Sequence, residues 1–235
     1  MILRLIVGFI FLVGILDASA TQKLQTQADS LFAQQKYTEA FQVYESVFQA
    51  GQFSESMLLK MAFIKDGLGN YVDALYYLDL YYKNSADKSV VGKIEEISQE
   101  MNLTGYSYND SHFFMAMINK YRGQIILALL AVALFLTVYT YKKRQLNEKP
   151  ITASVFQLLT LTALLVLSNG AYEGTYGIIS QNSTLLRNGP SAGAEPVMMI
   201  DKGHKVTVID RSEVWTKIDW DGEEVFLRNG KIKII

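Results

Sequence analysis

The sequence predicts a multi-domain membrane protein in three parts: an all-α array of helical repeats, an α-helical transmembrane hairpin and a small C-terminal all-β barrel. Three observations carry this prediction. Residues 21–110 are self-similar at an offset of 34. Two long uncharged stretches then flank the basic run "YKKRQLNEKP" at Tyr141–Pro150. After Gly174 the texture changes to short alternating runs separated by Gly, Pro and Asp-Gly turns.

Composition narrows the function classes. Of 235 residues, 50% are hydrophobic and 19% charged, so segregation of apolar segments explains the surplus better than a large soluble core. Residues 21–110 hold 7 cations and 12 anions, residues 142–150 hold 4 and 1, and residues 173–235 hold 8 and 9. No block is basic enough for nucleic acid, which excludes that partner class. Cysteine is absent, which excludes disulfides and thiol catalysis.

The helical array is read from the period. At an offset of 34, Ala28 meets Ala62, Tyr37 meets Tyr71, Ala40 meets Ala74 and Tyr44 meets Leu78. Alanines at these places let paired helices approach closely, while the tyrosines and Leu78 fill the space between units. Val90, Ile94, Ile97 and Met101 follow at helical spacing and predict a capping helix, closing a domain over 21–104. Two repeats and a cap make a short solenoid, and a dimer or a permanent partner would supply the missing buried surface.

These positions, with Leu31, resemble the tetratricopeptide repeat, although the usual Trp of the first helix and the closing Pro are missing. The resemblance implies a concave partner-binding face made by the first helix of each unit. It places Gln25, Asp29 and Phe32 there from one unit, with Leu59, Phe63 and Asp66 from the next. The Lys and Asn that some relatives use to grip a peptide carboxylate are replaced by Gln25 and Asp29, which implies an apolar or basic peptide ligand. Packing of Phe32 and Phe63 in the core or on the cap is the competing reading.

The apolar segments set the topology. Leu5–Leu16 is uncharged and Ala18-Ser19-Ala20 follows, a pattern for a cleaved signal peptide over 1–20, with an uncleaved anchor as the alternative. Ile125–Tyr141 is uncharged and long enough to reach about 25 Å as a helix, and Ile151–Tyr172 is uncharged over 22 residues. Both spans imply contact with membrane lipid. Cationic loops stay on the cytoplasmic side, so residues 142–150 form the inside turn, and both flanking domains face outward. Residues 105–124 join array to membrane as a linker or interfacial helix: Asn109 offers an N-cap, and Phe114, Met117, Ile118 and Tyr121 form a stripe.

In residues 174–235, "KVTVI" and "WTKIDW" read as strands, and Asp221-Gly222 between "WTKIDW" and "EEVFLR" signals a two-residue hairpin. About five strands are expected, with Trp215 in the core. The stretches Leu185–Ser191, Ile200–Asp210, Val214–Ile218 and Asp221–Leu227 resemble a bacterial SH3-like domain, with Phe226 where that family often has Trp. The resemblance implies binding of cell-wall peptides or proteins. Trp220 and Phe226 are then the candidates for a binding groove, against ordinary cross-strand packing.

No catalytic constellation is legible. Only His112 and His204 occur, far apart, so a metal site is not expected, and no nucleophile elbow or phosphate loop is present. The chain is expected to be a non-enzyme without a cofactor. The order of parts resembles the BatE family of the aerotolerance operons of Bacteroidetes-type bacteria. That resemblance implies a scaffold on the outer face of the inner membrane, a possible homo-oligomer. Its implied partners are membrane proteins of the same operon, with von Willebrand A domains and a MoxR-type ATPase system. A cell-wall sensor acting through the barrel is the alternative.

Overall fold

The computed structural model describes residues 21–170 and 174–235. The expected signal peptide at 1–20 lies outside the described residues, as do residues 171–173. The helical array comprises α1 (residues 21–33), α2 (Tyr37–Gln49), α3 (Glu55–Gly67), α4 (Tyr71–Ser85) and α5 (Val91–Glu100), the last entered through a 3-10 turn at Lys88–Val90. Side-chain caps start two of them: Ser54 accepts from the Met57 amide and Asn70 from the Asp73 amide.

The 34-residue period has a packing cause. Ala28, Ala40, Ala62 and Ala74 are all within 2% of full burial, and Tyr44 and Leu78 are buried beside them. Small residues at the same place in each helix pair let the backbones approach, and the larger side chains fill the seam. Val90, Ile94 and Ile97 are buried as expected. Met101 is a correction: α5 ends at Glu100, so Met101 is its C-cap and is 44% exposed.

Helix α6 (Asp110–Gln145) runs unbroken for 36 residues, about 54 Å. Asn109 caps it, accepting from the His112 amide, while His112 Nδ1 accepts from the Asn109 amide. Helix α7 (Ile151–Asn169) follows a turn closed by the Lys143–Glu148 ion pair and stops at Gly170, whose positive φ ends the helix. Both helices are long and apolar enough to cross a membrane, and their apolar windows are only 11% and 6% buried. They pack side by side: Gln157 Nε2 donates to Thr137 Oγ1 at 3.0 Å, and an Arg122 guanidinium N–H donates to the Ser168 carbonyl at 2.8 Å. On the first turns of α6, Phe114, Met117 and Tyr121 point away from the protein, and Ala116 is the buried residue.

The C-terminal segment is an antiparallel seven-stranded sheet in the order β3-β2-β6-β5-β4-β1-β7. Its strands are β1 (Thr175–Ile179), β2 (Thr184–Arg187), β3 (Pro196–Ile200), β4 (Lys205–Arg211), β5 (Trp215–Trp220), β6 (Glu223–Arg228) and β7 (Ile232–Ile234). The two strands beyond the expected five include the short β7, which pairs with β1. The Asp221-Gly222 turn has positive φ at both residues, as a tight hairpin between right-twisted strands requires. Ile179, Leu186, Ile200, Val206, Ile218, Val225 and Leu227 build its core. Trp215 is not among them: along β5 the buried residues are Thr216 and Ile218, so Trp215 falls on the opposite, outer face.

The helical array and the sheet, separated in sequence by the two apolar helices, pack against each other. Ile178 and Ile235 of the sheet belong to the core of the helical array. At the centre, Lys205 Nζ lies 2.8 Å from Asp79 Oδ1, with the two side chains 8% and 2% exposed. Tyr108 donates its hydroxyl to the same oxygen, and the Lys205 ammonium stands over the rings of Tyr108 and Tyr176 at 4.7 and 5.2 Å. Lys233 pairs with Asp73 at one side, and the Tyr106 hydroxyl donates to the Gly203 carbonyl at 2.6 Å. Two glycines permit this approach. A Cβ on Gly105 (φ +90°) would stand 1.9 Å from the Lys205 carbonyl oxygen, and one on Gly203 (φ +105°) would meet Leu103 and Tyr71 at 2.9 Å.

Both histidines sit on this interface as hydrogen-bond acceptors. His204 Nδ1 accepts from the Thr104 amide at 3.2 Å, and His112 Nδ1 accepts from the Asn109 amide at 3.4 Å while its Nε2 faces the Tyr176 hydroxyl at 3.3 Å. Burial pushes both imidazoles below the usual range, with the Lys205 charge adding to the effect at His112.

Two expectations follow from the interface. Lys205→Met should cost about 3–5 kcal/mol by leaving Asp79 buried without its partner, and Asp79→Leu added to Lys205→Met should recover part of that, measured by denaturant unfolding. The histidines hold depressed folded pKa values, so their contribution is present above the unfolded value of about 6.5 and is lost as pH falls through the folded values. The melting temperature of the solubilised chain should therefore be flat from about pH 7 to 9 and decline as pH falls below about 6.5. His112→Gln combined with His204→Gln should flatten that decline.

Candidate functional site

The six residues placed by sequence on the first helices of the repeats lie on α1 and α3, and the structure gives them unequal roles. Gln25 on α1 donates to the Ser54 hydroxyl at 2.5 Å, which ties α1 to the cap of α3. Asp29 accepts from the buried Tyr44 hydroxyl at 2.5 Å and from Lys60 at 2.7 Å. Burial, followed by the Asp29 hydrogen bond and charge, pushes the Tyr44 hydroxyl well above the usual tyrosine range. Gln25 and Asp29 are therefore committed to holding the helices together.

Phe32, Leu59, Phe63 and Asp66 do converge. With Lys60, Val90 and Lys93 they line a groove of about 430 Å³ between α1, α3 and α5. Phe32, Tyr37 and Phe63 form an edge-to-face trio with ring centroids 5.3–5.7 Å apart. Phe63 is nevertheless 58% exposed, so the trio presents one aromatic face to the groove. Two ion pairs flank it: Asp29–Lys60 on one side and Asp66–Lys93, at 3.1 Å, on the other. An apolar strip between neutralised charges can take the apolar side chains of a peptide, and it offers no unpaired cation cluster for an acidic one. Lys60 and Lys93 escaped sequence reading, because only the packing of α1 and α5 against α3 brings them to the groove.

On the sheet, Trp220 and Phe226 do not share a face. Trp220 follows the buried parity of Ile218, packs against the sheet core and meets His204 edge-on at 5.4 Å. Phe226 lies between buried Val225 and Leu227, on the outer face, opposite Lys217 in the β5–β6 register. The residue that joins it there is Trp215, opposite Arg228, whose guanidinium stands 5.6 Å from the indole. Arg187 of β2 pairs with Phe226 from the other side, and Lys217 meets Glu224 at 2.5 Å. This outer face thus carries two aromatics and three cations. The period-2 alternation of "WTKIDW" contains the information needed to place Trp215 outside, once Thr216 rather than Trp215 is taken as inward.

A second grouping escaped the sequence pattern. Asp73 accepts from Lys233 and, at 3.3 Å, from Lys65, and these two cations hold its carboxyl below the usual range against the opposing effect of burial. Asp73 and Asp79 both face the sheet from α4. The lone carboxylate in "LYYLDLYY" was the available signal, since an anion in so apolar a helical run requires a buried partner.

Among the described residues no group of three or more His, Asp or Glu side chains is placed to hold a metal ion. No curated protein and no solved structure matches the chain. A family model described as bacterial SH3 domain matches residues 183–233, which covers β2 to β6 and part of β7.

Proposed function

We propose that the chain is a non-catalytic, membrane-anchored adaptor that docks partner proteins in the groove between α1, α3 and α5. The observation that carries this is Phe63, more than half exposed at the rim of an edge-to-face aromatic trio and flanked by two internally neutralised ion pairs. Aromatic side chains held rigid by their neighbours yet open to solvent are the usual anchors of protein interfaces. The 34-residue period and the buried alanines support reading the array as tetratricopeptide-like repeats. The two apolar helices, packed together and little buried, support a transmembrane hairpin. The cationic turn Lys142–Arg144 supports a cytoplasmic loop, with the helical and sheet domains on the periplasmic side of a bacterial inner membrane. Resemblance to the BatE family supplies the candidate partners: von Willebrand A domain proteins and the MoxR-type ATPase system of the same operon, in an envelope or aerotolerance complex.

The second reading is a cell-wall sensor, and the outer face of the sheet favours it. Trp215 and Phe226 with Arg187, Lys217 and Arg228 form an aromatic, cationic surface on a domain whose family binds protein or peptidoglycan.

The two readings separate by point variants of the full chain. Phe63→Glu should lower recovery of the operon's von Willebrand A proteins from solubilised membranes at least about tenfold, since a hot-spot aromatic contributes 2 kcal/mol or more, while circular dichroism stays unchanged. Unchanged recovery would remove the groove from the account. For the second reading, the solubilised chain should sediment with purified cell wall, and Trp215→Ala with Phe226→Ala should abolish this. Trp220→Ala should instead lower stability by about 3 kcal/mol or more, because its indole packs inward.

A further inference from the structure

The turn between α6 and α7 carries a surface that neither docking face uses. Residues 142–150 hold four cations and one anion, net +3, while Ile125–Tyr141 before them and residues 151–170 after them are uncharged. The anion is accounted for, since Glu148 pairs with Lys143. The side chains of Lys142, Arg144 and Lys149 make no ion pair or hydrogen bond among the described residues. Arg144 and Lys149, with the paired Glu148, line a groove of about 520 Å³. Its remaining walls are Pro150 and the first turns of α7, through Ile151, Ser154, Val155 and Leu158.

These walls have two chemistries. Ile151, Val155 and Leu158 fall at i, i+4 and i+7, so they form one stripe about 10 Å long, and all three are more than half exposed. Beside them, the Ser154 hydroxyl is exposed and free. Thr137, Thr160 and Thr162 donate to carbonyls four residues earlier, whereas Ser154 makes no side-chain hydrogen bond among the described residues. The groove thus joins two unmatched cations and a hydroxyl to an apolar strip.

Charge and depth together select the occupant. A second copy of the chain would set the same cations against one another. A free phosphate or an acidic peptide would match Arg144 and Lys149 but make no use of the strip. In a transmembrane hairpin the cations stand at headgroup depth and the strip at acyl-chain depth, so a lipid reaches both at once. A zwitterionic headgroup brings its own ammonium to a turn of net charge +3, and an anionic one does not.

We infer that this groove seats one anionic phospholipid, its phosphate accepting from Arg144, Lys149 and Ser154 and one acyl chain lying along Ile151, Val155 and Leu158. The seat requires α6 and α7 to span the membrane, the reading proposed above, and is independent of any partner in the α1–α3–α5 groove.

The test places the full chain in nanodiscs of phosphatidylglycerol and phosphatidylcholine in equal amounts with the same acyl chains. The chain is then released in mild detergent and its retained lipids are counted by native mass spectrometry. Phosphatidylglycerol should be retained over phosphatidylcholine about tenfold or more, as two cations at headgroup depth imply. Arg144→Gln with Lys149→Gln should bring the ratio near one while the chain still enters nanodiscs and melts as before. Lys149→Gln alone should lower the ratio about fivefold, and Lys142→Gln, which removes the same charge outside the groove, should change it much less. Ile151→Ala with Val155→Ala, which trims the strip and keeps the cations, should lower retention at least about twofold. An inserted chain that retains both lipids equally would overturn the lipid seat and leave the hairpin reading standing. Equal effects of Lys142→Gln and Lys149→Gln would reduce the seat to diffuse attraction, and retention unchanged by the two alanines would reduce it to a site for phosphate alone; either result overturns it. A chain that does not enter nanodiscs at all would overturn the hairpin reading and the seat with it.

Discussion

The Asp79–Lys205 pair is the interaction on which the arrangement of this protein depends. Two opposite charges, 2% and 8% exposed, are expensive to take out of water, and their mutual attraction offsets that cost only when geometry and extra hydrogen bonds are good. Here the Tyr108 hydroxyl and the faces of Tyr108 and Tyr176 provide the additional stabilisation around the ammonium and one carboxylate oxygen. Such a pair adds little net stability over an apolar contact of the same volume. Its effect is selective: any docking of array and sheet that failed to bring these two residues together would leave one buried charge unmatched.

That selectivity has a topological consequence. Asp79 precedes the two apolar helices and Lys205 follows them, so the pair closes a loop that contains the whole hairpin. Array and sheet must then stand at the same end of α6 and α7. The sheet also covers the α4 face of the short helical array. The surface that the array lacks is thus supplied by the same chain, through Ile178 and Ile235 entering the helical core.

Local features of the fold were legible because local physics sets them. The 34-residue period survives in sequence since every alanine on it is needed for close helix approach, and the Asp221-Gly222 turn declares itself through two positive φ angles. The errors have equally local causes. Met101 continued the apolar spacing of α5, yet the helix ends one residue earlier. Trp215 is expected in the core, whereas the alternation that buries Thr216 and Ile218 puts it outside. In the groove, Phe32, Leu59, Phe63 and Asp66 were found from the repeat pattern, whereas Lys60 and Lys93 depend on which helices pack beside α3. The central ion pair joins residues 126 positions apart. No periodicity or turn chemistry connects them, and only the isolation of Asp79 among tyrosines hinted that a partner existed.

The array divides its surface between two tasks. One face of α4, through Asp73, Tyr76, Asp79 and Lys83, is spent on the sheet, where every charge finds a partner in the same chain. The groove on the far side of the seam keeps Phe63 open although Phe32 and Tyr37 already pack against it. Had the trio served packing alone, burial of Phe63 would have stabilised the array at no cost in geometry, since a ring left 58% in water forfeits much of the roughly 2 kcal/mol or more that full burial gives. An aromatic held rigid and left exposed, in a domain whose other large surface is closed by its own chain, is the feature on which the proposed docking of a partner rests.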